Sequence, residues 1–170
     1  ADEEDVADIF IWVNSGGQKL TEKNFIETLI AVYDNDVHHK INQFCSESRI
    51  PANETSYNQI LLVDPSHLIR MAVGVGFRRS RLHYAYMLLR GKNLKTGEIT
   101  PSVREDNLEI FKNSLDVVTN LNNWYAFMNL FVTAGYLKGS FAASSNAVVF
   151  SYVLYLIGKY DYKVPSVDLQ

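Results

Sequence analysis

Four groupings in the chain hold residue types that could bind or move charge. Asn14-Ser15-Gly16-Gly17 is the first. A Gly-Gly pair reaches φ > 0 without steric cost, so its backbone N–H groups could converge on an anion such as phosphate. The same composition ends an ordinary helix. The second grouping is Asp34, Asp36, His38 and His39, in which Asp34 and His38 stand at i, i+4, the spacing of helix-borne metal ligands. Acidic residues at a helix start equally complement the macrodipole. Zinc-enzyme helices of the H-E-x-x-H type carry a catalytic Glu that is missing here, so no metal ligand is assigned. The third is "GVGFRRSR", Gly74 to Arg81, a G-x-G followed by arginines. It lacks the third glycine of the dinucleotide fingerprint and the Gly-Lys-Ser/Thr of the P-loop, and reads as a helix end plus a turn. The fourth is basic: Arg79, His83, Tyr86 and Arg90 recur at i, i+4, i+7 and i+11, which on a helix is one face. Such a face binds a phosphate backbone, with Tyr adding a stacking or hydrogen-bonding contact. It could equally be a solvated face pairing with the acidic N-terminal helices.

The basic residues are gathered in the middle of the chain. Between Asp64 and Glu98 there is no acidic residue, while Arg70, Arg78, Arg79, Arg81, Arg90, Lys92 and Lys95 all lie there. Nucleic-acid binding is therefore placed on Arg78, Arg79, Arg81, His83, Tyr86, Arg90 and Lys92. Cys45, the single cysteine, falls on an apolar helical stripe, where a buried inert thiol is the ordinary outcome. No nucleophile–base motif occurs, and no catalytic residue is assigned.

The elements that must position these groups read almost throughout with helical period. Val6, Ile9, Phe10 and Val13 line a short helix that Gly16-Gly17 stops, and Thr21 caps the next, striped by Phe25, Leu29, Val32 and Tyr33 with Leu20 as a staple. Val37, Ile41, Phe44 and Cys45 predict a third helix that ends before Pro51, and "PANETSYNQ" is a loop. Asp64-Pro65 reads as N-cap and first helical residue of a helix through Leu68, Ile69, Ala72 and Val73. Leu82, Tyr86 and Leu89 stripe a helix over 79–90. "GKNLKTGEITP" after it is turn-rich, with a minor β-hairpin near 94–99 centred on Thr96-Gly97. Leu108, Phe111, Leu115 and Val118 stripe the longest run, Trp124, Phe127, Met128, Phe131 and Ala134 the next, and Val149, Tyr152, Val153, Leu156 and Tyr160 the last. Ile60 to Val63 is either a short strand or an extended lead-in. The fold class is all-α: one compact multi-helix bundle of about seven or eight helices forming a single domain over 1–170.

Bulk composition agrees with this. The chain has 170 residues, 47% hydrophobic and 21% charged, enough for one good core. The longest apolar stretch, Ala147 to Gly158, is well short of the roughly 20 residues that span a bilayer, so no membrane partner is expected. The acidic opening "ADEEDVAD" is unlike a secretory signal, which places the chain in the cytoplasm. A net charge of −3 excludes a surface built wholly for nucleic acid and leaves the central basic region as the place for it.

The stretch "VADIFIWVNSGGQKLTEKNF" resembles the core of the ParB-like N-terminal domain of GmrSD-type restriction endonucleases, where a helix "IFxxhN" runs into "S/T-G-G-x-x-L-S/T". Ile9, Phe10, Asn14, Ser15, Gly16, Gly17, Leu20 and Thr21 match it position by position. The resemblance implies a helical support or regulatory part of a bacterial, modification-dependent phage-restriction protein whose ParB-like domain binds and hydrolyses nucleoside triphosphate and governs a nuclease domain. That family's D-G-Q-Q-R segment lies before the Asn-Gly-Gly loop and does not occur in these residues. The resemblance therefore implies a fragment inactive by itself, with nucleoside triphosphate and magnesium as cofactors of the full-length protein and none held by the fragment. Its partners would be the missing N-terminal segment and the nuclease domain. Asn14, Ser15, Gly16 and Gly17 then form a tight interhelical turn bordering the nucleotide site. Two other readings stand beside it: a stand-alone module binding DNA through Arg78 to Lys95, and a homo-oligomerising scaffold that uses the aromatic-rich helices from Trp124 to Tyr160.

Overall fold

The computed structural model describes residues 24, 26–27, 30, 34–49, 60–135, 144–165 and 168–169. The Val6–Val13 helix, the Asn14–Gly17 turn, the Thr21 cap with its staple and stripe, and the 51–59 loop lie outside them. Six helices are delimited: α1 (Asn35–Glu47), α2 (Pro65–Phe77), α3 (Leu82–Leu89), α4 (Pro101–Val118), α5 (Leu121–Thr133) and α6 (Ser145–Tyr160). Asn24, Ile26, Glu27 and Ile30 are also helical, and Ile26 and Ile30 are buried in the core. Among the described residues there is no strand, and the protein is an all-α bundle.

α2 is the central element. Its residues are apolar nearly all round, with Leu68, Ile69, Met71, Ala72, Val73 and Gly74 buried, as a helix surrounded by others requires. It packs most extensively on α4 and then on α6. Gly74 and Gly76 permit this approach. A Cβ at Gly74 would stand 2.7 Å from Ser80 Oγ and 2.9 Å from Val153 Cγ2 of α6, and one at Gly76 would stand 2.5 Å from Ser114 Oγ of α4. The G-x-G read as a helix end is thus a close-packing seam within α2. The helix ends one residue after Gly76, with Arg78 in the left-handed region (φ 58°).

Caps hold the helix starts. Asp64 Oδ1 accepts from His67 N at 3.1 Å, with Pro65 at the first helical position as expected. Thr100 Oγ1 accepts from Val103 N at 3.3 Å ahead of Pro101. Asn120 and Ser144 do the same for α5 and α6. The apolar stripes read from sequence are buried in α1 at all four positions, Val37, Ile41, Phe44 and Cys45. In α3 the expected stripe is displaced: Ala85, Leu88 and Leu89 are buried, while Leu82 and Tyr86 are half-buried. At the other end of the chain Ala134 and Tyr160 are exposed, because each lies at or beyond the last turn of its helix. Ile60 to Val63 is an extended lead-in rather than a strand, with Ile60, Leu61 and Val63 buried and Leu62 exposed.

Trp124 is the centre of an aromatic cluster joining three helices, with ring centroids 6.0 Å from Phe44, 6.1 Å from Phe127 and 5.0 Å from Tyr152. Tyr152 donates its hydroxyl to Val118 O at 3.0 Å, and burial, aided by neighbouring Tyr155 and Tyr160, pushes its phenol well above the usual range, so it stays a donor.

Candidate nucleic-acid interface

Gly91, Gly97 and the Thr100-capped start of α4 shape the face that carries the basic run. After α3 the chain turns at Gly91, which has φ +79° and accepts from Thr100 N at 3.3 Å. A Cβ there would stand 2.6 Å from Thr100 O and 2.8 Å from Arg104 Cβ, so only glycine lets the turn sit against the start of α4. The expected hairpin reduces to one antiparallel bridge, Lys92 with Ile99, closed by Asn93 N donating to Glu98 O and Gly97 N to Asn93 O, both at 2.8 Å. Asn93 Oδ1 also accepts from Lys95 N at 2.9 Å, which makes a polar turn and leaves too few residues for a strand.

Between this turn and the helices lies an open groove of about 450 Å³. Phe77 comes from the end of α2, Arg79 from the turn that follows it, Leu88 from α3, and Lys92, Asn93, Leu94 and Lys95 from the turn after α3. Val103, Asp106, Asn107 and Ile110 come from α4. The lining is therefore an apolar floor, three cations and a few convergent polar groups. Asn107 is 8% exposed, and its Nδ2 donates to Leu88 O at 2.9 Å. Its Oδ1 has no hydrogen-bond partner among the described residues. Lys92 and Lys95 have no ion-pair partner among them either.

The seven basic-region residues are divided by the structure. Arg79 and Lys92 enter the groove, together with Lys95. Arg78 pairs with Asp161 at the end of α6 and donates to Val75 O, so it fastens the exit of α2. Arg81 is exposed at the N-cap position of α3 and makes no side-chain capping bond. His83 is exposed beside Tyr84, with ring centroids 6.2 Å apart. Tyr86 and Arg90 belong to each other: Arg90 Nη1 donates to Tyr86 Oη at 2.6 Å, and the guanidinium lies over the same ring. The single face expected for Arg79, His83, Tyr86 and Arg90 does not form. α3 begins only at Leu82, so Arg79 sits on the preceding turn, 5.7 Å over the Tyr84 ring, and Arg90 caps the other end. Lys95 belongs to the basic run read from the sequence, but Asp106 and Asn107 are not legible as groove residues, because a groove assembled from four segments has no spacing signature.

The carboxylate–histidine cluster is given to structure. Asp34 is the N-cap of α1, its Oδ1 accepting from Asp36 N at 3.1 Å and Val37 N at 3.0 Å, and it pairs with Lys112 of α4. His38 Nε2 bonds Asn42 Nδ2 at 3.1 Å. Among the described residues no three His, Cys, Asp or Glu side chains gather as a metal site. Burial works against ionisation of Asp34, but the hydrogen bond and charge of Lys112 and the two backbone donors outweigh it and hold its carboxyl below the ordinary 3.8. A depressed folded value means that Asp34 stabilises the fold fully above the unfolded carboxylate's titration, and that this is lost as pH falls through the folded value. Asp34→Asn keeps the cap and removes the charge, so its melting temperature should fall less steeply than the wild type's on acidification below about pH 4. Parallel acid profiles for the two proteins would refute this assignment.

No helix among the described residues is long and apolar enough to cross a membrane. In comparisons with known proteins, no family model, no curated protein and no solved structure matches the chain.

Proposed function

We propose that this chain is the helical support and regulatory part of a modification-dependent, NTP-dependent phage-restriction protein of the GmrSD kind, and that its groove face contacts nucleic acid. The first half rests on the position-by-position likeness of Ile9 to Thr21. The phosphate chemistry would come from a D-G-Q-Q-R segment and a nuclease domain outside these residues, with the Asn14–Gly17 turn bordering the nucleotide. A full-length protein that carries that segment should hydrolyse nucleoside triphosphate with magnesium, and Gly16→Val should reduce the turnover. Wild-type turnover indifferent to this change would remove the turn from the site.

The nucleic-acid half is carried by one observation: Arg79 from the turn after α2, and Lys92 and Lys95 from the turn after α3, line one groove in which Asp106 is the single carboxylate among the described residues. Cations on one face attract polyanions, and binding then weakens with salt as counterions are released. Reversing two of them, Arg79→Glu with Lys92→Glu, should weaken DNA binding by about tenfold or more and flatten its salt dependence, whereas Arg81→Glu, outside the groove, should do much less. Fluorescence anisotropy against a labelled DNA across a salt series reads both quantities. Equal losses from the groove pair and from Arg81→Glu would refute the placement.

A further inference from the structure

We infer that the groove accepts single-stranded nucleic acid, seating a base on its apolar floor while the flanking phosphates lie against Arg79, Lys92 and Lys95. The inference rests on the nucleic-acid reading above and states which form of nucleic acid the site takes. A duplex buries its base faces in its own stack and offers a protein phosphates, sugars and base edges. Cations on a convex surface suffice for it, and an apolar floor adds nothing. Here Phe77, Leu88, Leu94, Val103 and Ile110 line a groove of about 450 Å³ directly beside the three cations. That volume is within the range of small-ligand sites and suits one unstacked nucleotide, not a double helix. Basic grooves combined with aromatic seats are how sequence-tolerant single-strand sites are built, and Phe77 is the ring this groove offers a base.

The polar groups give the occupant an orientation. Asp106 would repel a phosphate placed on the α4 side, and the Asn107 amide, whose nitrogen is occupied by Leu88 O, presents an oxygen acceptor. Both suit the N–H groups of a base edge, as acidic and amide oxygens do toward cytosine or adenine amines. The backbone then runs on the Arg79, Lys92 and Lys95 side. An acidic peptide would satisfy the cations, but its carboxylates meet Asp106 and it brings no planar face to the floor.

The test is anisotropy at about 50 mM salt with a fluorescein-labelled, mixed-sequence DNA strand roughly 12 nucleotides long, a length in the range one such site covers. The strand should bind about tenfold or more tightly than a blunt duplex of equal length and than an abasic strand of equal length, which has the same charge and no bases. Leu94→Ser should weaken strand binding severalfold at an unchanged salt slope, whereas Lys92→Glu should also flatten the slope. Equal affinity for strand, duplex and abasic strand would overturn the inference and leave a phosphate-only contact. Absence of binding to any of the three would overturn the nucleic-acid reading with it. A polyglutamate peptide that binds more tightly than the strand would assign the groove to acidic protein instead.

Discussion

Trp124→Ala should destabilise the fold by about 3–5 kcal/mol, a loss that is a large part of the total stability of a single domain. The side chain is fully buried where α1, α5 and α6 meet, in edge-on contact with Phe44 and Tyr152 and tilted contact with Phe127. Truncation opens a cavity among aromatic rings, which are rigid and collapse poorly. The ring is needed more than its polar atom, because the indole Nε1 is buried without a hydrogen-bond acceptor among the described residues. Trp124→Phe removes that unsatisfied donor while keeping an aromatic plane, so it should cost only about 1–2 kcal/mol, the smaller cavity being offset by relief of the orphaned N–H. Urea unfolding of the three proteins measures this. A phenylalanine variant as unstable as the alanine variant would show that the N–H does have a partner.

Asn123→Ala should cost about 2–3 kcal/mol although it removes only a small side chain. Asn123 is 2% exposed and sits in the first turn of α5. Its Nδ2 donates to Val117 O of α4 at 3.0 Å and bonds Tyr160 Oη at 2.9 Å. Its Oδ1 accepts from Lys159 Nζ at 2.8 Å and from Tyr160 Oη at 3.1 Å. One amide thereby ties the exit of α4 and the last turn of α6 to the entry of α5. Its loss leaves a carbonyl, a phenol and an ammonium without that partner together, around a side chain that is itself buried. A double-mutant cycle with Lys159→Met should show a coupling of about 1 kcal/mol between the two positions. Strict additivity would mean that Lys159 is held by water and by the Tyr155 and Tyr160 rings instead.

These two sites also mark what the sequence discloses and what it does not. The aromatic stripe containing Trp124 is legible because apolar residues repeat with the helical period, and the start of α2 is legible because Asp-Pro places a cap before a preset φ. Asn123, Asn107 and Ser114 interrupt their stripes and are nonetheless buried. Asn123 and Asn107 find partners on other helices, at Val117 O and Leu88 O, while Ser114 returns to Ile110 O of its own helix. Nothing local in the chain announces such partners. The basic face failed for a related reason. Helical spacing predicts one face from Arg79 to Arg90, yet Arg78 leaves α2 in a left-handed conformation and the next helix begins only at Leu82. The cations that do converge are brought together by Gly91 and the turn after it, whose geometry depends on contact with α4.

We propose that this chain is a packed helical scaffold which binds and positions, with phosphate chemistry supplied from outside these residues. The direct measurement is nucleoside triphosphate hydrolysis by the purified chain with magnesium, beside the same chain bearing Gly16→Val or Gly17→Val. Phosphate should be released at the uncatalysed rate in all three. Turnover by the unmodified chain that disappears when either glycine is replaced would contradict it.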